Sequence, residues 1–304
     1  MLPLSAGMLN RTKVGMGTFI TLSLDETQKH HFQNGFKILK DVELSLSSYD
    51  KNSPVSRLNK NKYVKLDKYT FEAFSLSHKY YKRSDGYFDI TVGSVTKDLY
   101  RFGEDERVPS KEELQNSHVS FKALRFNESE AFLEKDSKVD LGGMGKGFGV
   151  DKVAKYLKKH SIKQAEIALS GDIRCLGVCD IQIQSPFHDG IFASFKTIHN
   201  ETAISTSGNY NRYVDTKKNN HLINPKIKQS QDKFISITLV SKMSNSDLDA
   251  YATAASVMPI DKAYAFLDSL DLAYLVIQSD EEFRFSDNLY YYLSDLLIHN
   301  ATKK

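Results

Sequence analysis

The alternation of apolar and polar positions divides the chain into runs of strands and runs of helices. Residues 14–24, "VGMGTFITLSL", alternate and are rich in β-formers, which predicts one strand. Asp25 is placed to cap the next helix, in which Phe32, Phe36 and Leu39 recur at helical spacing. A polar loop with Pro54 (47–59) precedes a helix over 68–83, whose Phe71, Phe74 and Tyr81 pack inward. "SDGYFDITVGSV" (84–95) reads as a turn entering a short apolar stretch, and 119–141 as short strands joined by tight turns. A glycine turn and a helix over 150–160 follow. From 165 to 240 the chain is mostly strand-like; then come helices at 247–257 and 261–270, a strand at 272–277, and a tail that fits either a helix or a strand. Elements come in runs and not in strict βαβ alternation. The fold class is therefore α+β, with mixed, largely antiparallel sheets and packed helices. No Gly/Ser- or Pro-rich linker and no repeat divides the chain. Residues 1–12 read as an N-terminal extension and 13–304 as a single domain.

Composition changes this picture little. The 304 residues are 40% hydrophobic and 26% charged, which is ordinary for a globular protein with an ample core. Net charge is +3 with Lys and Arg dispersed, which speaks against nucleic-acid binding. No segment approaches the ~20 apolar residues of a membrane helix, so no integral membrane segment is expected. The N-terminus lacks a basic stretch ahead of its short apolar run and does not read as a signal peptide. The expected location is cytoplasmic as the chain stands, or outside if an N-terminal signal has been removed. Cys175 and Cys179 lack zinc-site spacing and read as ordinary thiols in a reducing compartment, because a disulfide within one extended strand is disfavoured.

"VDLGGMGKGFGVDKVAKYL" (139–157) gathers glycines around Lys146 at a helix start. It is not a P-loop: Gly147 follows Lys146 where Ser or Thr is needed, and Asp140 occupies the first glycine position. Nor is it a dinucleotide fingerprint, since Phe148 or Val150 stands where the last glycine belongs. Its physics still suits an anion: glycines let backbone N–H groups approach, the helix start adds partial charge, and Lys146 adds a full one. A plain turn with a solvated lysine fits the stretch equally well. Asp249 and Thr253 share one helix face, one turn apart, a carboxylate and a hydroxyl suited to a hard cation such as Mg2+. A capped helix with small core residues also accounts for them. His221, in "NNHLINPK", sits on a short apolar strand ended by Pro225, either as a structural histidine or as a general base. "ISTSGNYNRY" (204–213) is a hydroxyl-rich turn, and "SGD" (170–172) is fully explained as a β-turn.

In order along nearly the whole chain, these pieces resemble the FAD:protein FMN transferase family, also called ApbE-like. "GMGT" (15–18) resembles its opening strand, "SSYDKNSPVSRLN" its S-x-Y…S-x-x-S-R-L-N loop, and "DGYFDITVG" its D-G-x-F-D-x-T-V-G segment. "VDLGGMGKGFGVD", "ALSGDIRCLG", "STSGNYNRY", "HLINP" and "DAYATA" resemble its D-L-G-G-I-A-K-G, G-G-D, T-S-G-x-Y-x-R, H-I-I-D-P and D-A-x-x-T-A motifs. The resemblance implies an enzyme that binds FAD as substrate and Mg2+ as cofactor. It would transfer FMN to a Thr or Ser hydroxyl of a target flavoprotein and release AMP. Asp140 and Lys146 would lie against the FAD. Gly143, through its carbonyl, would join Asp249 and Thr253 as metal ligands. Met16, Tyr49, Tyr87, Phe88, Asp89 and Leu222 would line the nucleotide, and His221 would be the base. A hydrolase splitting FAD to FMN and AMP, or a non-catalytic FAD-binding protein, are the other readings of the same scaffold. Five departures stand out: Gly145 for the usual Ala, Ser170 for Gly, Ile90 where Pro is frequent, Asn224 for Asp, and the loss of Thr-Gly beyond Pro225.

Overall fold

The computed structural model describes residues 7–299. The chain opens with a hairpin of β1 (Met8–Gly15) and β2 (Thr18–Asp25), whose turn residues Met16 and Gly17 both have positive φ, 52° and 74°. The single strand expected over 14–24 is therefore two: the glycines flanking Met16 fold the chain back, while the apolar alternation runs on across the turn. Residues 8–12, expected in an N-terminal extension, are paired with β2; residues 1–6 of that extension lie outside the described residues. Helix α1 (His31–Leu46) follows, then α2 (Pro54–Asn61), which the Ser53 side chain caps and Pro54 starts. Next come β3 (Tyr63–Lys65) and α3 (Lys68–Arg83), whose N-cap Asp67 accepts the Thr70 N–H at 2.8 Å. The short helices α4 (Gly93–Thr96) and α5 (Lys111–Asn116) precede β4 (Leu124–Phe126) and β5 (Glu130–Leu133), which pair with β3 in a small sheet.

Helix α6 (Gly145–Lys159) starts at Gly145, not at Val150, so Lys146 lies in its first turn. Beyond it run β6 (Ala165–Leu169), β7 (Asp172–Leu176), β8 (Asp180–Gln184), β9 (Ile191–Thr197) and β10 (Glu201–Gly208). The short hairpin β11 (Ile223–Asn224) and β12 (Gln229–Ser230) leads to β13 (Phe234–Ser241), α7 (Asn245–Ser256) and α8 (Ile260–Asp268). The chain closes with β14 (Ala273–Gln278), β15 (Phe283–Phe285) and β16 (Leu293–Ile298), so the tail is a strand. The main sheet is antiparallel in the order β1-β2-β6-β7-β10-β13-β14-β15, and a smaller one runs β16-β9-β8. Helices α1 and α6 bury Phe32, Leu39, Val153 and Leu157 against Leu22 and Ile167 of the sheet. Helix α7 is buried on nearly every side; Ala250, Ala252, Ala254 and Ala255 let its neighbours approach closely.

Cys175 and Cys179 form a disulfide, against the expectation of two thiols. The reason is local. The strand ends at Leu176, Gly177 turns at φ +81°, and the returning chain brings the two Cα atoms to 6.0 Å, within disulfide reach. Among the described residues, no helix is long and apolar enough to cross a membrane.

Candidate active site

Three segments converge on the start of α6. The 89–93 turn lies against 138–140: the Asp140 N–H donates to the Ile90 carbonyl at 2.7 Å, and Val92 and Lys138 form a parallel bridge. Gly93 permits this, since a Cβ there would stand 2.5 Å from the Lys138 carbonyl oxygen. Helix α7 crosses α6 just as closely at Gly147. There the backbone N–H donates to Asp249 Oδ2 at 3.1 Å. One turn along α7, the Thr253 hydroxyl donates to the Gly143 carbonyl at 3.3 Å. A carbonyl, a carboxylate and a hydroxyl are thus gathered beside the glycine turn, all hard oxygen donors.

Lys146 is no solvated lysine. Its Nζ lies 3.2 Å from Asp172 Oδ2 and 3.6 Å from Asp249 Oδ2. Burial alone would lower its pKa, but the two carboxylates outweigh that and raise it, so the ammonium is fully charged. Burial and the neighbouring Asp249 carboxylate push Asp172 upward, against the pull of Lys146 and of the Ser205 hydroxyl, which donates to Asp172 at 2.6 Å. Asp140 accepts from the Thr96 hydroxyl at 2.7 Å and the Gly142 N–H at 2.9 Å, with Lys97 Nζ at 3.5 Å. Burial raises its pKa; Lys97, Thr96 and Arg212 together more than reverse this and hold the carboxyl below its ordinary range.

His221 precedes β11 instead of sitting on it. Its Nδ1 faces the Arg212 carbonyl at 3.1 Å. A carbonyl only accepts, so Nδ1 carries the proton and Nε2 presents a bare lone pair. Burial, with the charges of Arg212 and Lys146, pushes the imidazole down to about 4, against the Arg212 carbonyl and Asp140, so it is neutral at pH 7. The Arg212 guanidinium donates to the Tyr49 hydroxyl and, at 3.2 Å, to the Phe102 carbonyl, while Lys97 Nζ sits 3.8 Å from the Tyr49 ring centroid. A continuous string, Asp140–Lys97–Tyr49–Arg212–His221, therefore runs from the glycine turn to the histidine. A surface cavity of about 400 Å3 bordered by Asp98, Glu113 and His118 includes none of these five residues.

The ApbE family profile matches residues 16–276. The chain belongs to the ApbE family. The FAD:protein FMN transferase of Haemophilus influenzae is 32% identical over 275 residues, 81% of this chain and 78% of that one. That of Vibrio cholerae is 28% identical over 268 residues, 82% of this chain and 79% of that one. Among solved structures, the ApbE protein of Thermotoga maritima aligns with a TM-score of 0.86 at 21% identity, covering 95% of this chain and 100% of that chain. The flavin transferase ApbE from Vibrio cholerae aligns at 0.83 and 24% identity, with 95% and 100% covered. The α+β architecture is that of the ApbE family.

Around this ApbE-family centre, the fold brings together Gly143, Asp249 and Thr253, and joins Lys146 to Asp249. Phe88 adjoins Gly143, since a Cβ on that glycine would stand 3.3 Å from the Phe88 ring. Leu222 is buried in the same apolar cluster as Phe88 and Tyr87. Met16 holds the hairpin turn to α1, its N–H donating to Glu43 at 2.7 Å, and its Sδ would lie 3.2 Å from a Cβ on Gly149 of α6. Tyr49 is 48% exposed, whereas Tyr87 is buried, with Lys226 and Lys262 at 4.7 and 4.8 Å from its ring centroid. Asp89 bonds to the N–H and hydroxyl of Thr91, at 2.8 and 2.7 Å, and burial raises it to about 6; it shapes the 89–92 turn. Sequence reasoning missed Asp172, Lys97, Thr96 and Arg212. Asp172 was hidden by the turn reading of "SGD", although its place opening a strand after a Ser-Gly turn was a usable signal.

Proposed function

We propose that this chain is an FAD:protein FMN transferase that moves the FMN half of FAD onto a Thr or Ser hydroxyl of a target flavoprotein and releases AMP, with Mg2+ as its metal. One observation carries the reading: an oxygen-only donor set lies beside a charged lysine whose field also reaches a neutral histidine. The donor set fits Mg2+. Gly143, Asp249 and Thr253 offer only hard oxygens. Mg2+ held there would supply charge neutralisation for the pyrophosphate and the departing AMP.

The chain's own groups divide the rest. Nε2 of His221 takes the proton from the acceptor hydroxyl; the hydroxyl oxygen bonds to the flavin-side phosphorus, and the bond from that phosphorus to the bridging oxygen breaks, releasing AMP. Lys146 offsets charge on the pyrophosphate. Tyr49, Tyr87, Phe88, Met16 and Leu222 form the apolar surroundings of the flavin nucleotide, and Asp140 fixes the glycine turn and Lys97.

The test is incubation with FAD, with and without Mg2+, and with an acceptor domain that another enzyme of this activity flavinylates. Metal-dependent AMP release with an FMN-sized mass gain on the acceptor supports transfer. AMP and free FMN without mass gain would make the chain a hydrolase. FAD bound and unconsumed would leave a binding protein. His221→Gln should lower transfer by roughly 10²–10⁴-fold while FAD still binds.

A further inference from the structure

We propose that Arg212 is a positioning residue that ties the base to the flavin platform, clamped at Tyr49 and Phe102 by its side chain and at His221 by its backbone; this rests on His221 being the base. At its outer end the guanidinium donates to the Phe102 carbonyl at 3.2 Å and to the Tyr49 hydroxyl, and packs 5.6 Å from the Phe102 ring centroid. Tyr49 donates in turn to the same Phe102 carbonyl at 2.8 Å. At its inner end a single acceptor, the Arg212 carbonyl, takes both the His221 backbone N–H, at 3.2 Å, and the imidazole Nδ1.

The segment between Arg212 and His221 has little regular structure of its own. It holds one isolated bridge, Tyr213 with Asn220, and a single 3-10 turn. The Arg212 carbonyl is therefore held jointly by this bridge, through the His221 N–H and the Val214 N–H to Asn219 bond at 3.0 Å, and by the side-chain clamp. That carbonyl decides which nitrogen of His221 is bare. Two consequences follow. Arg212 sets the tautomer that presents Nε2 to the acceptor, and anything bearing on Tyr49 bears on the base through one intervening residue. Charge is a separate effect. The groups whose fields reach His221 are Arg212, Lys146 and Asp140. Substitutions at 212 must separate clamp from charge.

The experiment is long-range 1H–15N NMR of protein labelled with 15N-histidine, without FAD, the His221 signals being assigned by their loss in His221→Gln. It compares wild type with Arg212→Gln, Arg212→Lys and Tyr49→Phe. Wild type should show one tautomer, protonated at Nδ1. Arg212→Gln should show both tautomers, with kcat for transfer down on the order of 10-fold, KM for FAD within about threefold, and the acid limb of kcat/KM moved to higher pH. Arg212→Lys should return the acid limb but not the single tautomer, because one ammonium cannot reproduce the fork. Tyr49→Phe removes only a hydroxyl from a half-exposed side chain, so it keeps the fold, and it should give partial mixing. A single Nδ1–H tautomer in both Arg212→Gln and Tyr49→Phe would overturn the clamp. Transfer undiminished in His221→Gln would instead overturn the base assignment, and the tautomer readout would still judge the clamp on its own.

Discussion

A single methyl group at Gly147 tests whether close approach of α6 and α7 builds the site. A Cβ there would meet the Asn245 carbonyl oxygen at 2.3 Å, its carbon at 2.6 Å and Asp249 Cβ at 2.9 Å. The two nearest atoms are backbone, so no rotamer change relieves them. Overpacking of this kind costs about 1–3 kcal/mol. The better helix propensity of alanine returns at most about 1 kcal/mol. Gly147→Ala should therefore lose up to about 2 kcal/mol, the difference of those two effects when the contact costs the full amount. The helices must part, and the Gly147 N–H bond to Asp249 with them. Gly145 is the control within the same helical turn. Nothing lies within 4 Å of its Cβ position, so Gly145→Ala should be neutral or stabilise by up to about 1 kcal/mol. Guanidinium unfolding of both variants measures the sign. Metal-dependent AMP release, measured where both are folded, should fall in Gly147→Ala and hold in Gly145→Ala. Two variants of equal stability and activity would refute the argument.

Three further outcomes follow from the same geometry. The His221 imidazole is pushed below its free value, so its contribution to stability is complete above about pH 6.5 and is lost as the pH falls toward about 4. This is worth at most about 3 kcal/mol, less in so far as the half-buried ring keeps water; wild type should lose that much more than His221→Gln between pH 7 and 4, and parallel curves would contradict it. Reducing the Cys175–Cys179 disulfide should cost about 2 kcal/mol, the entropy of closing so short a loop, read as a lower unfolding midpoint. Ser170 adopts φ 56°, in the left-handed region, so Ser170→Gly should raise stability by about 0.5–1 kcal/mol in denaturant titration; destabilisation would mean that the serine side chain has an offsetting partner.

How much of this was legible depended on whether a residue's role is local. Helix α3 was readable because its apolar spacing and its Asp67 cap agree. Asp249 and Thr253 were readable as a pair because helical geometry alone puts them on one face. Ser170 was readable as a departure from the family's Gly, and the structure places it at positive φ. What failed was tertiary. The hairpin turn at Met16 breaks no apolar alternation, so periodicity ran through it. The disulfide depends on a glycine turn that makes two apparent strand neighbours face each other. Lys97 carries no local signal, and Arg212, although it ends the T-S-G-x-Y-x-R motif, is defined like Lys97 by Tyr49, far away in sequence. Asp172 gains its meaning only from Lys146 and Ser205, which come from α6 and β10.

Lys146 links the last prediction to the proposed reaction. Its ammonium is shared between Asp172 at 3.2 Å and Asp249 at 3.6 Å. A divalent ion held by Asp249, Thr253 and the Gly143 carbonyl must share Asp249 with that ammonium, and two cations on one carboxylate repel. A pyrophosphate would relieve that repulsion by offering both cations oxygen partners. Each ligand therefore favours the other, and by linkage the factor is the same in both directions. FAD affinity measured calorimetrically should rise at least about 5-fold with Mg2+. In Lys146→Met the competing cation is gone, so metal alone should bind more tightly and the coupling should shrink. Asp172→Asn should do the reverse to metal affinity, since the ammonium then rests on Asp249 alone, and that effect should vanish when Lys146→Met is combined with it. If Asp172→Asn weakens metal binding equally with and without Lys146, the lysine is a bystander and the carboxylate acts through space.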